Sequence, residues 1–187
     1  MRVISGTARG THLSSIDDIA TRPTLDRIKE SLFNILAPDL PNAIVLDLFA
    51  GSGAIGIECI SRGSKSVTFC DKAPKAVEMI QQNLEKTRFS NQATVLNMDY
   101  KKALIQCAKE KKVFDIIFLD PPYHLHLAAD AVDNIIAQKL ATEDTVIVVE
   151  TDEEQVELEK LSKLNVTIYD KRKYGRVSLI FLNLKGV

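Results

Sequence analysis

The sequence predicts an α/β protein: a doubly wound, mostly parallel seven-stranded sheet with an antiparallel last strand, preceded by a short N-terminal β-hairpin and a helix. Three observations predict it. Five apolar, strand-like runs alternate with helical patterns through the middle of the chain. Those runs are apolar on both faces, as strands of a parallel sheet between two helical layers must be. The final two runs have only Tyr174-Gly175-Arg176 between them, a link too short for a crossover, so they pair as an antiparallel hairpin.

The elements follow in order. RVISG (2–6) faces THLSS (11–15) across Ala8-Arg9-Gly10 as a short hairpin. From Thr24 to Ala37, Leu25, Ile28, Leu32, Phe33, Ile35 and Leu36 recur at a helical period. Asp26 suits the first turn of that helix and Pro38 stops it. Strands are expected at 43–49, 66–71, 93–97, 114–120 and 145–150, and helices at 53–62, 74–87, about 100–110 and about 125–139. Residues 166–175 and 176–184 form the closing hairpin.

A chain of 187 residues favours one domain over 1–187, with 1–22 as an N-terminal hairpin extension. Its composition, 45% hydrophobic and 26% charged, is that of an ordinary soluble protein. No run approaches the ~18–20 apolar residues of a membrane span, and MRVISGTARG lacks the apolar stretch of a signal peptide, so the cytoplasm is the expected compartment and no membrane partner is expected. Cys59, Cys70 and Cys107 are widely spaced, and His12, His124 and His126 make no zinc pattern with them, so no metal is expected.

The net charge of −1 announces no global basic field, but charge is unevenly spread. Lys171, Arg172, Lys173, Arg176 and Lys185 face Asp170 alone in the last stretch, whereas 151–160 is acidic. The basic cluster reads either as a nucleic-acid contact or as a solvated turn. The acidic run is expected to lie away from any phosphate backbone.

Ligands of open α/β sheets sit beyond the carboxyl ends of the strands, so the residues that end strands carry the function. VLDLFAGSGAIG places Asp47 in the first strand and Gly51, Gly53 and Gly56 in the turn and helix start. That glycine spacing alone is equally a dinucleotide fingerprint. Asp47 favours another ligand, because a carboxylate there repels a pyrophosphate but accepts from an ammonium. A ligand carrying both amine and carboxylate, like the methionine part of S-adenosylmethionine, suits an Asp beside free N–H groups at a helix start. Asp71 ends the second strand and can accept the hydroxyls of an adenosine ribose, or cap the next helix. Asp99, after the third, can receive an adenine amine or act as an N-cap.

FDIIFLDPPYH is the most informative segment. Two prolines fix the backbone and remove two N–H donors, leaving carbonyls and Asp120 as acceptors beside the aromatic face of Tyr123. An exocyclic amine on a planar base needs such acceptors, and Tyr123 can stack on the base.

The combination of VLDLFAGSGAIG with DPPY resembles the Rossmann-like class I amino-methyltransferases. RPTLDRIKESLFNIL (22–36), RVISGTARG, LFAGSGAIGIECISRG and YGRVSLIFL narrow it: over essentially the whole chain the sequence resembles the bacterial small-subunit rRNA guanine-N2 methyltransferase family, RsmD. The resemblance implies methyl transfer from S-adenosylmethionine to a guanine N2 amine of 16S rRNA, free or in a partly assembled 30S subunit, by a monomer. It implies catalysis by Asp120, Pro121, Pro122 and Tyr123, with cofactor binding by Asp47, Phe49, Gly51, Ser52, Gly53, Asp71, Lys72, Asp99 and Tyr100. RNA binding would fall to Arg2, Arg9, Arg22 and Thr24, although Arg22 is nearly as well read as a salt-bridge partner. The alternatives are an adenine-N6 amino-methyltransferase, a nicotinamide-dependent oxidoreductase, which leaves DPPY and Asp47 unexplained, and a non-catalytic RNA-binding assembly factor, which would have lost an acidic or aromatic site residue.

Overall fold

The computed structural model describes residues 1–15, 23–122 and 125–186, with side chains outside 23–26. The elements are α1 (Pro23–Ile35), β1 (Ile44–Asp47), α2 (Ala54–Ser61), β2 (Ser66–Asp71), α3 (Pro74–Thr87), a 3₁₀ turn (Ser90–Gln92), β3 (Ala93–Asn97), α4 (Tyr100–Lys109), β4 (Ile116–Leu119), α5 (Leu127–Ala137), β5 (Val146–Thr151), α6 (Glu154–Leu161), β6 (Val166–Tyr174) and β7 (Val177–Leu184).

The seven strands form one sheet in the order β3-β2-β1-β4-β5-β7-β6. β1 to β5 pair in parallel, and β7 runs antiparallel to both β5 and β6. This is the architecture expected from the alternating runs. The strand order reverses between β1 and β4, which opens a crevice at their carboxyl ends.

Successive strand residues face opposite layers, and the burial follows that period of two. Val45, Phe69, Phe118, Val148 and Phe181 pack under α1, α2 and α3. Leu46, Cys70, Leu119, Val149 and Leu182 pack under α4, α5 and α6. The strands β1, β2, β4, β5 and β7 are thus covered on both faces, which is why their sequences show no apolar–polar alternation, whereas the edge strands β3 and β6 are partly exposed.

Four local differences have physical causes. The first helix ends at Ile35 rather than Ala37, because Pro38 pushes its predecessor out of the helical region. β1 and β4 stop short of 49 and 120, since those residues leave the ladder to border the crevice. The helix α6 was not anticipated. Its pattern is mostly charged, but Glu154 and Glu157 suit the positive end of the helix dipole, and Leu161 is buried. The N-terminal hairpin has one bridge, Arg2 to His12, held by Val3 N–H to the Thr11 carbonyl, Gly10 N–H to the Val3 carbonyl and Leu13 N–H to the Met1 carbonyl, while Ile4, Ser5, Thr7 and Ala8 turn their N–H groups to α2 instead.

That docking centres on Glu58, which is fully buried. Its carboxylate accepts from the Ile4 and Ser5 N–H groups at 2.8 and 2.9 Å, from Arg62 Nε at 2.8 Å, and pairs with Lys29 Nζ at 3.0 Å. Burial raises its pKa, but Lys29, the Ile4 N–H and Arg62 outweigh burial and hold it below the ordinary value. Asn83 of α3, also fully buried, fixes the other end of the segment: it accepts from Ser14 N–H and donates to the Ser14 and Ser52 carbonyls. The N-terminal segment is therefore strapped across the helices that carry the glycine loop. Among the described residues no helix is long and apolar enough to cross a membrane.

Candidate active site

Two adjoining cavities lie at the carboxyl ends of the strands, at the β1–β4 switch point, and Phe49, Gly51 and Asp120 line both. The larger, of 400 Å³, is bordered by Leu48 after β1, Cys70, Asp71 and Lys72 at the end of β2, Met98, Asp99 and Tyr100 after β3, and Pro121 and Pro122 after β4. The smaller, of 220 Å³, lies under α1, between Ile28, Lys29 and Leu32 on one side and Asp47, Ser52, Phe118, Val148, Glu150 and Leu179 on the other. Nearly all the strand-end residues expected from the sequence thus converge on one cleft.

The glycine turn is built by two requirements. Gly53 caps α2 with φ of 77°, a left-handed conformation that favours glycine. A Cβ on Gly56 would stand 2.2 Å from the Phe69 ring, so only glycine lets α2 pack this closely on β2. Gly53 and Gly56 do not border the cavities; they shape the turn that does. The expected free N–H groups at the helix start are partly engaged by the protein itself. Gly51 N–H donates to Asp71 Oδ2 at 2.9 Å, Gly53 N–H to the Ala50 carbonyl at 2.7 Å, and Gly56 N–H to Asp47 Oδ2 at 3.1 Å. Asp47 therefore occupies the anion position of the helix N-terminus, where a pyrophosphate would meet like charge.

Asp71 accepts from Gly51 N–H at Oδ2 and from Ala73 N–H at Oδ1, which joins the glycine turn to the start of α3. Asp99 is the N-cap of α4, accepting from Lys101 N–H at 3.0 Å. Each keeps further lone pairs. Tyr100 is nearly buried, its ring 5.3 Å from that of Phe49 and its hydroxyl donating to Asp130. Burial, followed by the bond to Asp130, pushes its pKa up. The rings of Phe49 and Tyr100 give the larger cavity an aromatic wall.

The electrostatics of the smaller cavity are lopsided. Asp47, Asp120 and Glu150 stand on adjacent strands and on the same face of the sheet: Asp47 is level with Phe118, Phe118 with Val148, and Asp120 and Glu150 follow two residues on. Burial pushes the Asp47 pKa up to about 7, against the Gly56 N–H, which lowers it, and with Asp71, which raises it. Asp120 is open to solvent through the cleft, yet protein surrounds its other sides. That desolvation, with Glu150 and Asp47 nearby, raises its pKa well above the ordinary value, and the solvent opening moderates the rise. The Lys29 ammonium is held by Glu58 and by the Arg2 carbonyl. The cavity is therefore suited to a cation.

Other expected residues are placed differently. Tyr123, His124 and Arg22 lie outside the described residues, as does the side chain of Thr24. Met1 borders the smaller cavity, and Arg2 is exposed beside it. Arg9 lies in a turn at the other end of α2 from the glycine loop. Its turn is fastened to the C-terminal end of α2, through Thr7 N–H to the Ser61 carbonyl and Ala8 N–H to Ser61 Oγ. That end lies about 12 Å along the helix from the glycine loop. The acidic run also departs from expectation: β5 is parallel to β4, so the run begins at the site edge rather than away from it. There Asp152 pairs with Arg176 and Glu154 with Lys171 and Ser178, so the basic cluster is partly neutralised. Glu150 and Lys29 were missed. TVIVVE ends in Glu150 as SVTFCD ends in Asp71, so the strand-end rule could have found it; Lys29 carries no signal beyond its helical face.

The sequence matches the family described as Conserved hypothetical protein 95 over residues 1–183. It is 36% identical to the ribosomal RNA small subunit methyltransferase D of Haemophilus influenzae, over 83% of this chain and 80% of that one. It is 33% identical to the protein of the same name from Escherichia coli, over 82% and 76%. Among solved structures, a hypothetical protein of Thermus thermophilus superposes with a TM-score of 0.80 at 26% identity, covering 98% of this chain and 99% of that one.

Proposed function

The chain belongs to the Conserved hypothetical protein 95 family, and from that premise we propose that it transfers the methyl group of S-adenosylmethionine to the exocyclic N2 amine of a guanine in small-subunit (16S) ribosomal RNA. The observation that carries this reading is Asp120, which borders both cavities, with Pro121 and Pro122 beside it in the larger one. The methyltransferase names of its relatives and their ribosomal substrate support it.

The residues fit the cofactor. Asp71 has lone pairs for both ribose hydroxyls and Asp99 for an adenine amine, while Phe49 and Tyr100 offer apolar contact, with Lys72 at the rim. Asp47 receives the ammonium, and Gly51 and Ser52 border the methionine chain. The acidic row beside the switch point favours a donor bearing positive charge over a nicotinamide dinucleotide. When bound, S-adenosylmethionine supplies an electrophilic methyl group on its sulfonium. Asp120 accepts one N–H of the base amine, the Pro121 carbonyl accepts the other, and Tyr123 stacks on the ring. Holding the amine in line provides most of the acceleration. Asp120 takes the proton once methylation has made the amine acidic.

Arg2, Arg22 and Thr24 contact phosphate, and Arg9 reaches only RNA that continues along α2. The protein works as one cytoplasmic domain and a monomer, on rRNA that is free or partly assembled into the 30S subunit. Calorimetry tests the cofactor: S-adenosylmethionine and S-adenosylhomocysteine bind, NAD does not, and Asp71→Ala weakens binding by roughly 1.5–3 kcal/mol, a loss of about 10–100-fold. Tighter binding of NAD than of S-adenosylmethionine would refute the reading.

A further inference from the structure

The smaller cavity holds a carboxylate that this mechanism does not use. Leu119 of β4 is level with Val149 of β5, so Asp120, just past the end of β4, stands abreast of Glu150 in β5. Phe118 and Val148 belong to the core under α1, and two residues further along a strand returns a side chain to the same face. Asp120 and Glu150 accordingly border one cavity, over an apolar floor of Phe118, Val148 and Leu179. They also feel one another, since the Glu150 charge helps to raise the Asp120 pKa.

We propose that Glu150 is the residue that selects guanine, accepting the N1–H of the base while Asp120 accepts an N–H of the neighbouring amine. This rests on the methyltransferase reading above and adds the identity of the base to it. A guanine presents two adjacent donors along its pairing edge, the ring N1–H and the amine at C2. Two acceptors abreast at the mouth of an apolar slot match that edge. An adenine presents its amine beside the N1 lone pair, which a carboxylate repels, so Glu150 excludes adenine as well as holding guanine. Neutral acceptors would read the same edge more weakly, because hydrogen bonds to an ionised acceptor are stronger. The existing contacts of Glu150 do not prevent this, since a carboxylate has about four acceptor positions.

The test replaces N1–H without touching the amine. Small subunits are rebuilt from 16S rRNA carrying either guanine or 2-aminopurine at the methylated position; 2-aminopurine keeps the C2 amine but has a lone pair at N1. Methyl transfer is followed with labelled S-adenosylmethionine. The wild-type protein is expected to prefer guanine at least tenfold in kcat/KM. Glu150→Gln is expected to lose at least tenfold on guanine and to narrow or reverse the preference, because its amide N–H can donate to the N1 lone pair. Glu150→Asp keeps the preference, and both variants bind S-adenosylhomocysteine within twofold of the wild type. Equal loss on both bases in Glu150→Gln, or equal use of both bases by the wild type, would overturn the role of Glu150 while leaving methyl transfer intact. Transfer to neither base by the wild type would overturn the methyltransferase reading itself.

Discussion

Asp47 is the residue on which the cofactor reading and the stability of the fold meet. Its folded pKa of about 7 lies above its value in an unfolded chain, so the folded state holds a proton that the unfolded state releases. Its contribution is therefore most favourable at low pH and is lost as pH rises from about 4 through about 7. Asp47→Asn should be more stable than the wild type at pH 8, by roughly 2–4 kcal/mol, with little difference at pH 4; denaturant unfolding at the two pH values checks this. An ammonium beside Asp47 prefers the ionised carboxylate, so S-adenosylmethionine should bind more tightly as pH rises from 6 to 8 and should release protons. Calorimetry in buffers of different ionisation enthalpy detects that release, and Asp47→Asn should abolish most of it. Asp120→Ala should keep cofactor affinity within a few-fold while turnover falls by about two orders of magnitude or more; near-normal single-turnover rates would remove Asp120 from the chemistry. Residues such as Asp71 and Asp120 were legible in the sequence because they end apolar strands, and strand ends in such sheets converge. Glu150 stands near the end of a strand too, but nothing in its local sequence says that Asp120 borders the same cavity. For Arg9, charge and proximity in sequence to Arg2 say nothing of which end of α2 holds the turn.

At the scale of elements, the N-terminal strap and its anchor on α2 make the sharpest prediction. Glu58 is buried with Lys29, Arg62 and two backbone N–H groups around it. Glu58→Ala leaves those partners without their acceptor and should cost about 3–5 kcal/mol, as breaking a buried ion pair does. Its depressed pKa means the contribution holds above the ordinary carboxylate range and is lost as pH falls through the folded value. Urea unfolding with limited proteolysis of the first fifteen residues checks both, and a loss under about 1 kcal/mol with unchanged proteolysis would contradict the anchoring role. Long amphipathic elements such as α3 and α4 were legible from periodicity alone. The helix α6 was not, because its turn is stabilised by its charges and dipole and by one buried leucine rather than by a full apolar stripe. The N-terminal hairpin was legible as a turn, but its reduction to a single bridge depends on Glu58, more than fifty residues away.

At the scale of the molecule, a reversal of strand order puts β1 beside β4 and so brings the glycine turn against Asp120-Pro121-Pro122. Two distant sequence segments form one cleft only because of that topology, and the acidic row across β1, β4 and β5 gives the cleft a preference for a cation. On the proposed function, this cleft joins a methyl donor to the amine of a guanine in small-subunit rRNA. The most direct measurement incubates the purified protein with labelled S-adenosylmethionine and small subunits, or their 16S rRNA, from cells lacking its gene, then digests the RNA and identifies the labelled nucleoside by mass spectrometry. The expected product is N2-methylguanosine at a single position, absent with the Asp120→Ala protein. Label in N6-methyladenosine, or no label in RNA from an enzyme that binds the donor, would contradict the claim.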